Sequence, residues 1–320
     1  MRKNVNNVHV EGRIYQHDLE IKTVKNQQSA NFGKSYIGGT IEVAVAVNDA
    51  GINLIPVNFT YVTENTAKGG KNKTYTELQK IIESGKTWMS NGAENATMVA
   101  IDTSIALNDF VASDGSMVSQ QLLQGGFVSV VSKLQDEGVR STFKTDILIT
   151  NVNRIDADEE KNIPADYVAV RGAVFNFKND LLPVEFRVEN PGGMQYFENL
   201  EVSGAQPVYT QVWGKMDFSP TSVTQVIESA FGEATVDVRS RKVKKWIITG
   251  ASKVPYDFGD EKVMTEDEVV KAMQDRQVHL ADVKKRKEDY DKSKAAAPAP
   301  SAFAPVSAAP APAAAGKFSF

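Results

Sequence analysis

Two pairs of residues near the start of the chain set an aromatic ring beside a cation at a spacing of two: Arg13 with Tyr15, and Lys34 with Tyr36. Residues two apart on an extended strand share one face. A ring and a cation on one face can stack on an unpaired base and neutralise the adjoining phosphate, and each stacked base contributes about 1–3 kcal/mol. Lys22, Lys25, Phe59, Tyr61 and Trp88 extend the inventory, and Lys68, Lys71 and Lys73 form a glycine- and lysine-rich loop. The second half supplies Phe175, Phe177, Tyr196, Phe197, Tyr209 and Trp213, and the basic run RSRKVKK from Arg239 to Lys245. The candidate nucleic-acid contacts are Arg13, Tyr15, Lys22, Lys34, Tyr36, Tyr61, Lys71, Lys73, Trp88, Phe177, Tyr196, Trp213, Arg239, Arg241 and Lys244. Competing roles exist for several: Phe59 and Tyr61 as core aromatics, the lysine loop and the basic run as solvated surface.

Other chemistries find little footing. There is no cysteine, so disulfides, thiolate metal sites and cysteine nucleophiles are excluded. His9, His17 and His279 are scattered without metal-ligand spacing. Neither a phosphate-binding P-loop nor a dinucleotide glycine fingerprint occurs. Asp102, Asp109 and Asp114, with Asp156, Asp158, Glu159 and Glu160, are candidates for carboxylate-held magnesium. The last four sit in a turn-forming stretch where surface acids are expected. The reading is a protein without catalysis, metal or cofactor. A net charge of −4 argues against binding by bulk electrostatics but leaves room for a local basic groove. The polar N-terminus and the lack of a long apolar run point to the cytoplasm of a bacterial or phage-infected cell.

The elements that must position these residues read mainly as strands. Residues 8–16 alternate apolar and polar, and 34–47 and 52–62 flank the turn NDAG as a hairpin. Thr74 and Glu77 open a short helix that Gly85 closes. Three further strands follow, the last over STFKTDILITNVNRI. The acidic segment 156–165 reads as a linker. The second half repeats the plan: a strand over DYVAVRGAVFNF, more strands with a turn at NPGG, a short helix from Ser222 and a closing basic strand. Thr265 and Glu268 cap a charged helix with a thin apolar face, and an Ala/Pro-rich tail follows.

Gly12 in VHVEGRI and Gly172 in VAVRGAV share one pattern 160 residues apart. A small Greek-key barrel must coil its first strand, and a glycine permits that bend. The expected fold is therefore mostly β: two oligonucleotide-binding (OB) five-stranded Greek-key barrels in tandem, over 1–155 and 166–258. A charged helix over 259–294 and a disordered tail over 295–320 complete the expectation.

One resemblance stands beside this reading. Asn7, Val8, Val10, Gly12, Arg13, Ile14, Leu19, Glu20 and Thr23 match the opening of bacterial single-stranded DNA-binding proteins, and GTIEVAVAV from Gly39 resembles their second strand. The likeness is strongest over residues 7–50. It implies an OB fold and a protein that coats single-stranded DNA during replication, recombination or repair. The Ala/Pro tail is similar to that family's tail, but the tip departs from it. This chain ends GKFSF without the family's aspartates, leaving Phe318 and Phe320 as candidate docking residues for other replication proteins. Two barrels in one chain also depart from the one-barrel bacterial type and would suit a bacteriophage protein. The competing class is a β-rich phage structural or interaction protein.

Overall fold

Alternating burial along the first strand sets the architecture. In β1 (Asn6–His17), Val8, Val10 and Ile14 are buried while Asn7, His9, Arg13 and Tyr15 are not. The computed structural model describes residues 4–48, 51–158, 163–204, 206–227, 235–242, 244–259 and 263–296, without side chains for 48, 221–242 and 294–296. Phe318, Phe320 and all but the first two residues of the expected tail lie outside the described residues.

The chain continues through β2 (Glu20–Thr23), β3 (Ser35–Asn48), β4 (Gly51–Thr63), α1 (Lys73–Ser84), α2 (Trp88–Asn91), β5 (Met98–Val111) and β6 (Met117–Val130). β1 pairs with β3, β3 with β4, β4 with β6 in parallel, β6 with β5, and β5 with β1. These five strands close a Greek-key barrel, with α1 between its third and fourth strands. Asn72 caps α1 by accepting from Thr74 N at 3.1 Å, two residues before the expected cap Thr74. Gly85 ends the helix in the left-handed region, as expected.

A second ring has the same strand order. It uses β7 (Ser141–Ile155), β8 (Tyr167–Phe175), β9 (Leu181–Val188), β10 (Val208–Asp217) and β13 (Lys245–Ala251), with α3 (Pro191–Glu198) between third and fourth strands. A hairpin of β11 (Pro220–Ile227) and β12 (Thr235–Lys242) is inserted between the fourth and fifth strands. The second ring thus begins at β7, a strand that the expected boundary at 155 assigns to the first domain. The described parts of the acidic stretch, 156–158 and 163–165, lie between its first and second strands rather than between two domains. Two local expectations are also corrected. Residues 222–227 are strand, where Val223, Thr224, Val226 and Ile227 favour extended backbone and β12 supplies the partner. The helix falls instead at Pro191, because Asn190 accepts from Gly193 N at 2.6 Å and proline suits the first helical turn.

The two first strands join the rings. Asn6–Val10 of β1 pairs antiparallel with Ser141–Thr145 of β7, and the second half of each strand turns into its own barrel. Both bend at a register shift, between Ile14 and Gln16 in β1 and between Ile149 and Asn151 in β7. Glycine makes room at both bends, but not on equivalent strands. A Cβ on Gly12 would meet the Ala44 carbonyl of β3, whereas Gly172 lies on β8 and its Cβ would meet the Leu148 carbonyl of β7. The expected first-strand role therefore holds for Gly12, while Gly172 faces the bend from the second strand.

One apolar core runs through both rings. α4 (Glu266–Ala296) clamps them from outside. Its Val269 and Ala272 pack with Leu148, Phe175 and Tyr209 of the second barrel. Its Arg276 binds Asp109 of β5 through two 2.6 Å hydrogen bonds, with His279 Nε2 3.1 Å from the same carboxylate. Thr265 and Glu268 form the expected cap.

Candidate nucleic-acid interface

The second and third strands of the first barrel carry an aromatic pair. Tyr36 on β3 and Tyr61 on β4 have ring centroids 4.6 Å apart, and Tyr61 is 47% exposed. They form one side of a groove whose other side is residues 21–26 of the first-to-second-strand loop, including Lys22 and Lys25. Lys34 stands just before β3, its ammonium 3.0 Å from Asn31 Oδ1, and Lys22 lies 3.4 Å from Glu20. These are exposed contacts that a phosphate can displace cheaply. The strand two–three face and this loop are where OB barrels hold oligonucleotides.

Lys71 and Lys73 stand at the entrance to α1, next to this site. Asn72 Nδ2 donates to Thr63 O at 2.9 Å, two residues beyond Tyr61. Arg13, Tyr15 and Trp88 are brought together elsewhere on β1. The Arg13 guanidinium donates to the Glu94 and Ala96 carbonyls at 3.1 and 3.4 Å, and the Tyr15 and Trp88 rings are 6.2 Å apart. This group fastens α2 and the turn after it to the barrel, so its first use is structural.

The second barrel does not gather its candidates into one patch. Phe177 is 81% exposed at the β8–β9 turn, with Lys178 Nζ 5.6 Å from its ring. Tyr196 is on α3, half-buried, with its hydroxyl donating to Ser252 O at 3.1 Å; burial pushes that phenol up from its ordinary pKa. Trp213 is on β10 and 40% exposed. Lys244 lies 5.9 Å from the Phe218 ring. Arg239 and Arg241 are two apart on β12, so the backbone puts them on one side of the inserted hairpin; their side chains lie outside the described set. Sequence reasoning missed Tyr167 and Arg187, where the guanidinium sits 4.3 Å over the ring, because the two residues come from different strands. It also missed Phe127, whose setting in GGFVSVV reads as an ordinary core strand.

Among the acids that raised the question of metal chemistry, Asp102, Asp109, Asp114 and Asp156 have other partners, and Glu159 and Glu160 lie outside the described residues. Asp102 is 2.7 Å from His9 Nδ1, Asp114 accepts from Ser116, and Asp156 binds Arg154, which also holds Asp166. Asp109 belongs to the α4 clamp. Burial would raise its carboxyl, but hydrogen bonds from Arg276 and Ser119 and the charges of Arg276 and His279 outweigh that and hold it below the ordinary range. Among the described residues, no group of three or more acidic or histidine side chains is placed to hold a metal ion.

A family model described as YorF matches residues 4–286. No curated protein matches the sequence. Among solved structures, a deletion mutant of the single-stranded DNA binding protein from Thermus aquaticus aligns with a TM-score of 0.45 and 10% identity, over 81% of this chain and 98% of that one. A replication protein A heterotrimer bound to single-stranded DNA aligns with a TM-score of 0.18 and 11% identity, over 85% and 70%. At such distances neither structure carries a functional argument, and the ring closure and side chains of this chain must do so.

Proposed function

The chain belongs to the YorF family, and from its two barrels and the surface they carry we propose that it binds single-stranded DNA with little sequence preference and without catalysis. In this reading it coats and protects exposed strands during replication, recombination or repair in a bacterial or phage-infected cell. The observation that carries the reading is the Tyr36–Tyr61 ring pair on the second and third strands of an OB barrel, in one groove with Lys22 and Lys25. Two adjacent rings offer flat faces to any base, which favours affinity without sequence readout. The lysines supply phosphate contacts, each releasing counterions on binding.

The decisive experiment is titration with oligo-dT of roughly 40 nucleotides, followed by mobility shift and tryptophan fluorescence across a salt series. Binding at low salt that falls linearly in a log–log plot against salt is expected. No shift and no quenching at low salt would overturn the proposal. Phe318 and Phe320 are proposed to dock other replication proteins. Deleting 295–320 should then leave DNA affinity within about threefold, under ~1 kcal/mol, while removing any partner capture.

A further inference from the structure

We propose that the bound strand continues from the first barrel to the second across the outer face of the joined sheet, stacking on Phe127 and Trp213 and placing a phosphate on Lys144. This rests on the reading of the Tyr36–Tyr61 site above and extends it to a second site.

The face is continuous by register. Phe127 on β6 is opposite Asp102 on β5, Asp102 opposite His9 on β1, and His9 opposite Thr142 on β7. Two residues along β7, Lys144 is opposite Trp213 of β10. Cross-strand partners and residues two apart share a face, so Phe127, His9, Lys144 and Trp213 all point outward. They line one open groove. Four strand spacings separate β6 from β10, about 19 Å across the sheet.

The chemistry of this groove suits a single strand. Phe127 is 74% exposed and Trp213 40% exposed, a heavy apolar exposure to leave at both ends of one groove. The Trp213 indole lies against Gly250, where any side chain would displace it, so the backbone holds the ring as a platform. Asp102, the carboxylate on the path, is engaged by His9 at 2.7 Å. Lys144 is exposed and has no ion-pair partner among the described residues.

The groove also connects to the tyrosine site. Asn72 is bonded to Thr63, two residues from Tyr61, and the Thr74 hydroxyl donates at 3.2 Å to the carbonyl of Gly126, the neighbour of Phe127. Lys71 and Lys73 therefore stand between the two aromatic positions. Rings and cations alternate along the route: Tyr36 with Tyr61, Lys71 with Lys73, then Phe127, Lys144 and Trp213.

The test uses the full chain and two dT oligomers, one of about 8 nucleotides to fill the tyrosine site and one of about 30 to reach both barrels. Phe127→Ala should weaken the long oligomer about tenfold and the short one less than about twofold. Lys144→Ala should lower the salt slope for the long oligomer by about one. Tyr36→Ala, as the control, should weaken both. Light-induced crosslinking of a long oligomer carrying 5-iododeoxyuridine should capture Phe127 or Trp213. If Tyr36→Ala weakens both lengths while Phe127→Ala and Lys144→Ala change neither, the proposed path is overturned and the first-barrel reading survives. Equal weakening of both lengths by Phe127→Ala also overturns it, by putting Phe127 within the first site. If the unaltered protein binds neither oligomer, both readings fall.

Discussion

In the first barrel Tyr36 and Tyr61 lie ring to ring on the second and third strands, beside lysines with at most weak surface partners. On the corresponding strands of the second barrel, Arg171 is bound to Glu185 at 2.6 Å, and Arg187 covers the Tyr167 ring. Near the end of β7, Arg154 is held by Asp156, Asp166 and Glu198. The ring order is the same, yet the cations of the second face are already engaged. A phosphate arriving there must displace a carboxylate or uncover a ring before it gains a contact. Topology provides the face, and the local pairing of charges decides whether it is open to a ligand. The second barrel keeps an open position elsewhere, at Trp213.

The sharpest way to break this comparison is at the glycines. Gly12→Val and Gly172→Val each push a side chain into a carbonyl across the bend. If the two glycines do the same work from opposite strands, each variant should lose about 3 kcal/mol in urea unfolding. A loss at only one position would show that the bends are not equivalent.

Next in size is the clamp between the barrels. Asp109→Ala should cost about 2 kcal/mol, because it leaves the nearly buried Arg276 without its carboxylate while Arg276 keeps its hydrogen bond to the Ser119 hydroxyl. Its pH dependence has a definite sign. The Asp109 carboxyl is held below its ordinary value of 3.8 in the folded protein. Its contribution is therefore complete above about pH 4 and disappears as pH falls through the folded value. The stability gap between the parent and Asp109→Ala should close on acidification, as followed by thermal melts at a series of pH values.

Binding differences should be smaller. Tyr36→Ala is expected to lower oligo-dT affinity about tenfold, near 1.4 kcal/mol, and Tyr167→Ala by less than about threefold. Equal losses, measured by fluorescence titration, would show that both strand two–three faces bind alike. The smallest effect is expected at Tyr196→Phe. It removes the hydroxyl bond to Ser252 and should cost about 1 kcal/mol of stability with no change in DNA affinity. A clear loss of affinity there would return Tyr196 to the interface.

Local signals in the sequence were sufficient for β1, the β3–β4 hairpin, α1 and α4, because each depends on a short-range pattern: period-two burial, turn residues, or caps such as Thr265 with Glu268. The composition of the Tyr36–Tyr61 site was also legible, since ring and cation sit two apart in the sequence, although Lys34 falls just before β3. The same signals misled where a partner distant in sequence decides the outcome. Residues 222–227 are a strand because β12 pairs with them, and β7 belongs to the second barrel because β8 and β10 flank it. Arg276 and Asp109 meet across 167 residues, and no periodicity carries that information. Phe127 reads as core in its own strand, yet it faces outward. Which residues can stack, pair or bend was determined by the sequence alone, through side-chain chemistry and short-range backbone preference. Which rings meet, which cations stay open and where one barrel begins was decided by tertiary structure, because strand pairing and burial are set between segments that only the closed fold brings together.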